Sequence, residues 1–323
     1  MTSSEFEYLP VSVIIPSFNA KAWLAEAVES VNQGKRPADI IVIDDCSTDD
    51  SYQYALKLAD EHSNLRVLKT PQNGGAAKAR RLGVENSPHD WFCFLDADDL
   101  LEEGAIEKAF RSITPEVDVC LFDLWRFTKL ESAWRDSANP ETQELTGHAA
   151  FEATLGSWNV HAFGIYRKTL FLSANEKLSV NSFNADEILT RIIFQAAQKV
   201  YICSSKYFYR LNEHSITRGF NKKFPGILQS HRWLIENSWQ ATAHRYRKVV
   251  KQSIKDCYKL CVDFSRYDAD WALIEIHDYL SYLKRDKKAL TAALFNIKYF
   301  YYLIYCVVRF SYLKNKVKKH EYT

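Results

Sequence analysis

The feature that most limits how this chain can fold is an alternation running from residue 11 to residue 99. Short apolar runs, rich in β-branched and aromatic residues, end near a proline or an acid, and each is followed by a helical pattern. The runs are Val11-Ser12-Val13-Ile14-Ile15-Pro16, Ile40-Ile41-Val42-Ile43, Leu65 to Leu68, and Phe92-Cys93-Phe94-Leu95. Between them, Trp23, Leu24, Ala27, Val28 and Val31 share one helical face. Ser47 to Asp50 forms an N-cap cluster opening a helix through Leu58, and Asn73-Gly74-Gly75 turns into a helix carrying Lys78, Arg80 and Arg81. Strands alternating with helices at this spacing predict βαβ units and a mostly parallel central sheet flanked by helices, an α/β fold.

Open parallel sheets bind ligands beyond the carboxyl ends of their strands. Pro16 to Asn19, Asp44-Asp45, the Gly74-Gly75 turn and Asp96-Ala97-Asp98-Asp99 all follow strand ends, so they share one rim. Three carboxylates within four positions need compensating charge, which a divalent cation with hard oxygen ligands provides when a phosphate substrate is present. The cluster is also expected to cap a helix beginning near Leu101. The glycine turn matches neither G-x-G-x-x-G nor G-x-x-x-x-G-K-[ST], which argues against a dinucleotide fold or a P-loop enzyme. Lys78 and Arg80 could face a diphosphate; a solvated helix face is the other reading of both.

Four motifs together carry a resemblance. Val13 to Asn19, Ile41 to Asp49, Asn73-Gly74-Gly75 through Arg80, and Phe94 to Asp99 resemble the nucleotide-sugar half of family 2 glycosyltransferases with the GT-A fold. The resemblance implies a UDP-type sugar donor, with Pro16 and Phe18 near the base, Asp45 reaching the uracil, Asp96 near the ribose and Asp98 as ligand to Mn2+ or Mg2+. Asn19 and Gly74, inside the same motifs, join the donor set. Arg81 departs from the pattern, standing where the family often has asparagine.

Farther on, Val117 to Phe122, Phe163 to Tyr166 and Lys199 to Cys203 read as strands, and Asp123 to Pro140 as a surface hairpin, with an excursion touching the acceptor as the other reading. Asn184-Ala185-Asp186-Glu187-Ile188-Leu189 opens an apolar helix. It resembles the family's acidic pair before a helix, although Ala185 occupies the usual glutamate position. The resemblance assigns Asp186 as general base, with Glu187 as the fallback. Tyr207 through Thr217 resembles the family's Y-R-x-x-x-x-S segment, a mobile loop closing over the donor, placing Arg210, His214 and Ser215 near the diphosphate or metal.

These readings divide the chain into a catalytic domain, residues 1–223, and a helical C-terminal region, residues 224–323. Within the first, residues 1–100 form the nucleotide-sugar half and 101–223 the acceptor half. In the C-terminal region Cys257 and Cys261, one helical turn apart, are expected in the core. The ten uncharged residues between Lys298 and Arg309 fall far short of the roughly 20 needed to span a bilayer. Lysines and arginines between residues 284 and 319 flank this tyrosine-rich stretch. They predict a helix lying on an anionic membrane surface, with burial against the protein or a partner as the alternative.

Composition closes off other classes. The chain has 323 residues, 47% of them hydrophobic, and 42 basic against 40 acidic residues give a formal charge of +2. That supports a sizeable core and excludes nucleic acid as the expected partner. Seven cysteines without a C-x-x-C pair fit reduced, buried thiols better than a disulfide framework or a zinc site, and Met1 to Tyr8 lacks the order of a signal peptide. The expectation is a cytoplasmic enzyme, peripheral on the inner face of the plasma membrane. It would transfer sugar from a nucleotide sugar to a glycan or glycolipid hydroxyl in bacterial surface polysaccharide synthesis. The alternative is a non-catalytic nucleotide-sugar-binding or scaffold subunit of a glycan-assembly complex. A nucleotidyltransferase would need a glycine-rich, lysine-containing loop that Pro16 to Lys21 does not provide.

Overall fold

Apolar runs with β-branched residues suit a sheet covered on both faces, and that is where they lie. In chain order β1 (Leu9–Ser17), α1 (Leu24–Asn32), β2 (Ala38–Asp44), α2 (Ser51–Glu61), β3 (Leu65–Lys69), α3 (Ala76–Glu85) and β4 (Trp91–Phe94) follow the expected alternation. Then come β5 (Leu100–Leu101), α4 (Ala105–Arg111), β6 (Val117–Phe127), β7 (Trp134–Arg135), β8 (Glu144–Thr146) and α5 (Gly147–Ala153). They lead into β9 (Gly164–Arg167), α6 (Lys168–Glu176), α7 (Ala185–Ala196) and β10 (Lys199–Arg210). The structure is a computed structural model that describes residues 8–136, 144–156, 160–178, 184–211, 224–238, 240–263, 269–294 and 297–320.

The chain divides into two compact units. The first comprises Met1–Ala150, Asn159–Lys177 and Ile193–Glu213, and the second Phe151–Trp158, Leu178–Ile192 and His214–Thr323. Among the described residues the first unit holds one sheet in the order β3-β2-β1-β4-β9-β6-β10-β5, with β7 beside β6 and β8 beside β10. The pairs β1/β2, β2/β3, β1/β4 and β6/β10 are parallel, and β9 runs antiparallel to both β4 and β6. Six strands, including the five longest, therefore run one way, and the sheet is mostly parallel as expected.

Helix α3 packs unusually close to β1. A Cβ on Gly83 would sit 2.4 Å from Cγ2 of the fully buried Ile14, so only glycine lets helix and strand approach this far.

Two local expectations are corrected. The helix anticipated near Leu101 starts at Ala105, after Gly104 in the left-handed region (φ 66°). Leu100 and Leu101 instead pair antiparallel with Phe208 and Tyr207 of β10, an edge contact available only once a distant strand has formed. Tyr207 to Arg210 also pair with Leu124 to Phe127 of β6 and so form the end of a strand rather than part of the mobile loop. His214 and Ser215 lie outside the described residues.

The second unit is helical, with α8 (Ile227–Asn237), α9 (Ala243–Val262), α10 (Ala269–Arg285), α11 (Lys287–Leu294) and α12 (Ile297–His320). Cys257 and Cys261 of α9 are buried, as expected. The Tyr258 ring stacks on Tyr302 of α12 with centroids 4.3 Å apart, fixing the register of these two helices. Among the described residues no helix is long and apolar enough to cross a membrane.

Candidate active site

The rim predicted from the strand ends exists, and side chains as well as backbone bonds hold its loops. Asn19, just past β1, adopts a left-handed backbone (φ 51°). Its amide N–H donates to Ser47 Oγ at 3.0 Å, and its Oδ1 accepts from the Thr48 N–H at 2.9 Å. The loops leaving β1 and β2 are thereby sewn together. Phe18, between Pro16 and this latch, remains 47% exposed, an aromatic face open to a base.

Asp45 is buried at the end of β2. One carboxylate oxygen accepts from Thr70 Oγ1 at 2.8 Å and the Gly74 N–H at 3.0 Å, and the other from the Gly75 N–H at 2.6 Å. The carboxylate thus pins the glycine turn, where Gly75 has φ 81°. Beside it, Ser17 and Asp44 lie opposite each other in the β1/β2 register. Both Ser17 Oγ and Asp44 Oδ1 are buried without a hydrogen-bond partner among the described residues. Each unmet buried polar atom costs about 1–3 kcal/mol, a burden that a polar ligand or water would relieve.

The acidic cluster beyond β4 divides its labour. Arg80 of α3 places Nη2 2.6 Å from Asp96 Oδ1 while its guanidinium lies over the Phe94 ring. Asp99 turns inward and is 1% exposed. It accepts from Tyr207 Oη at 2.8 Å and from the Arg210 N–H at 2.7 Å. Burial, with the nearby charges of Asp96 and Asp98, holds the Asp99 carboxyl well above the usual carboxylate range. Tyr207 Oη also accepts the Asp96 N–H at 3.2 Å, so one buried phenol fixes both ends of the loop.

Arg210 meets this loop from outside. Its Nε donates to the Asp98 carbonyl at 2.7 Å, its Nη2 lies 2.6 Å from Glu26 Oε2, and its guanidinium covers the rings of Trp23 and Phe127. The side chain expected to approach a diphosphate braces the loop's backbone. Lys78 is exposed, folded over Gly74, and Arg81 pairs with Glu85 at 2.7 Å on the outer face of α3. The departure at Arg81 is thus an ordinary helix-surface ion pair.

Asp98 is half-buried on the turn between Asp96 and Asp99. Among the described residues this turn does not gather three ligand atoms, so a cation here would depend on one or two carboxylates plus substrate phosphates. That hard-oxygen donor set fits Mg2+ or Mn2+.

Asp186 and Glu187 open α7 and differ in employment. Asp186 is exposed, and its Oδ1 accepts the Glu187 N–H at 2.9 Å. Glu187 Oε2 lies 3.1 Å from Nη1 of Arg191, whose side chain is 4% exposed and also donates through Nε to Thr154 Oγ1 at 3.1 Å. Burial pushes the Arg191 guanidinium below its ordinary pKa, and Glu187 opposes that shift. Glu187 is committed to a buried counter-charge. Sequence reading gave Asp99 the orienting of this loop or the capping of a helix but missed its partner Tyr207; the only available signal was a tyrosine alternating with Tyr209 along an apolar strand.

Residues 12–172 match the family described as glycosyl transferase family 2. The chain is 25% identical over 222 residues to glycosyltransferase GlyG of Streptococcus pneumoniae serotype 4, covering 64% of this chain and 73% of that protein. It is 34% identical over 125 residues to the minor teichoic acid biosynthesis protein GgaB of Bacillus subtilis, covering 37% of this chain and 14% of GgaB. The crystal structure of S. aureus TarS 1-349 in complex with UDP-GlcNAc is similar in fold, with a TM-score of 0.68 at 18% identity over 97% of this chain and 92% of that one. Motifs, sheet order and these likenesses agree: the chain belongs to glycosyl transferase family 2 and has its GT-A fold.

Proposed function

We propose that this chain is an inverting, metal-dependent glycosyltransferase. It moves one sugar from a UDP-type donor to a hydroxyl of a glycan on a lipid carrier, in the assembly of a bacterial surface polysaccharide. The observation that carries this reading is the rim itself, where Asp45 closes the glycine turn and Arg80 holds Asp96 beside Asp98. The UDP-GlcNAc held by TarS supports the nucleotide, and the place of GgaB in minor teichoic acid biosynthesis supports the product class.

A divalent cation held by Asp98 would add positive charge beside the leaving diphosphate. The chain's own residues supply the remaining steps. Phe18 stacks on the base, the Asp45-pinned turn borders the nucleotide, and Asp96 receives the ribose hydroxyls. As the acceptor oxygen bonds to the anomeric carbon, its proton passes to a carboxylate oxygen of Asp186. The bond from that carbon to the diphosphate breaks, and its electron pair leaves with the diphosphate. Attack opposite the leaving group inverts the centre without a covalent intermediate.

Thermal-shift measurements against UDP-sugars with and without Mn2+ test the donor site, and UDP release tests the transfer. A metal-dependent shift for one UDP-sugar, and release lost in Asp98→Ala, are expected. Ala185, standing where an acid is usual, favours a second reading as a non-catalytic sugar-nucleotide-binding subunit; absence of release from any nucleotide sugar would select it.

The membrane assignment rests on α12. Tyr301, Ile304 and Val308 are 61%, 46% and 65% exposed along one helical face, and the helix sequence continues into Lys314, Lys316, Lys318 and Lys319. An apolar stripe with basic charge suits the surface of an anionic bilayer. Flotation with anionic vesicles should carry the full chain but not Tyr301→Ser/Ile304→Ser/Val308→Ser; equal flotation of both proteins would reject this surface.

A further inference from the structure

Away from the sugar site, three cysteines converge inside the helical unit. Cys257 and Cys261 stand one turn apart on α9, and Cys306 faces them from α12. All three are buried, at 1%, 0% and 0% exposure, and their Sγ atoms lie within 4.8 Å of one another. Among the described residues this is the single group of three or more cysteine, histidine or carboxylate ligand atoms drawn this close. Sequence spacing could not show it, because the third sulfur arrives on a different helix.

We propose that Cys257, Cys261 and Cys306 form an all-thiolate site for one soft, thiophilic d10 cation, with Cu(I) the ion that best matches its coordination number.

Sulfur–metal bonds of about 2.3 Å in a trigonal plane place sulfurs about 4 Å apart, so closing the site needs movements of under about 1 Å. Thiolates select Cu(I) and Zn(II) over hard cations. Structural zinc is almost always four-coordinate, whereas this group offers three ligands, which favours Cu(I). The stacking of Tyr258 on Tyr302, and the Tyr258–Tyr305 edge contact at 4.9 Å, hold α9 and α12 in the register that brings Cys306 to the pair. Arg309, one turn beyond Cys306, contributes positive charge to Cys261 and so partly offsets the negative charge of the thiolates. On binding, three metal–sulfur bonds form and each ligating thiol releases its proton to the buffer, with no change of oxidation state.

The test uses the reduced, metal-stripped full chain under anaerobic conditions, titrated with Cu(I) and separately with Zn(II) against a chromophoric chelator. Binding of one equivalent of Cu(I), tighter than that of Zn(II) and lost in Cys261→Ala and Cys306→Ala but kept in Cys120→Ala, is the expected result. X-ray absorption on the loaded wild-type chain should show three sulfur ligands, a readout that needs no variant to fold. Failure of the wild-type chain to compete for either ion, binding unchanged in Cys306→Ala, or a shell with fewer than three sulfurs would overturn the site. Sugar transfer is not among the readouts, so this outcome is independent of the proposed reaction.

Discussion

Tyr207 Oη donates to Asp99 Oδ2 at 2.8 Å across 108 positions of sequence, tying the last strand of the sheet to the acidic loop at its rim. Both groups are buried, and among the described residues no other side-chain hydroxyl donates to Asp99. Tyr207→Phe removes the donor while preserving the ring, which packs 4.2 Å from the Phe163 ring centroid. Stability should fall by about 1–3 kcal/mol in urea unfolding. Nucleotide-sugar affinity, measured by calorimetry, should fall as the loop loosens.

Arg80 and Asp96 form a half-buried pair, so their effects should not add. Arg80→Ala and Asp96→Asn should each raise the KM for the donor. The double variant should lose less than the sum, with a coupling of about 0.5–3 kcal/mol from steady-state kinetics. Additive losses would mean that the two side chains serve the donor separately.

The adjacent acids of α7 should separate cleanly. Asp186→Asn, at an exposed carboxylate, should change stability by no more than about 0.5 kcal/mol while lowering turnover roughly 10²–10⁴-fold. Glu187→Gln should do the reverse, costing about 1–3 kcal/mol by depriving the buried Arg191 of its counter-charge and leaving measurable transfer. Urea unfolding and UDP release, run on both variants, distinguish the base from the brace.

Acid should destabilise the first unit through His161. Burial, reinforced by the charge of Arg126 and opposed by Asp123 and Asp136, lowers its pKa from 6.5 to about 4. The folded state therefore holds the ring neutral while the unfolded chain takes up a proton near pH 6.5. This contribution is fully present above that value and is lost progressively as pH falls toward 4, amounting to about 3 kcal/mol. Unfolding free energies measured from pH 7 to pH 4 should slope less steeply in His161→Gln than in the parent.

What sequence revealed and what it concealed follows from the range of each interaction. The first four strands and their helices were readable because apolar runs and turn residues are local signals, and the rim followed from strand direction alone. Arg81 looked anomalous in sequence, yet its partner Glu85 was four residues away on the same face. Tyr207 with Asp99, Leu101 with Tyr207, and Cys306 with the α9 cysteines depend on register between distant elements, which periodicity does not encode. Arg210 was placed at the diphosphate by its motif. Its Nε and Nη2 meet the Asp98 carbonyl and Glu26, partners whose proximity appears only once β10 is paired.

The missing side chain at Gly83 also sets how closely α3 rides on the sheet below the rim. Gly83 lies in the last turns of the helix whose first turn follows the pinned Gly74–Gly75 corner, and whose middle carries Arg80. A methyl there would press on Ile14 and lift the helix from the sheet like a shim under one end of a beam. The other end of that beam is where Asp45 grips Gly75 and Arg80 reaches Asp96. Under the proposed function, sugar-nucleotide affinity should therefore respond to a position that need never touch the ligand, with Gly83→Ala acting as a remote adjustment of the rim.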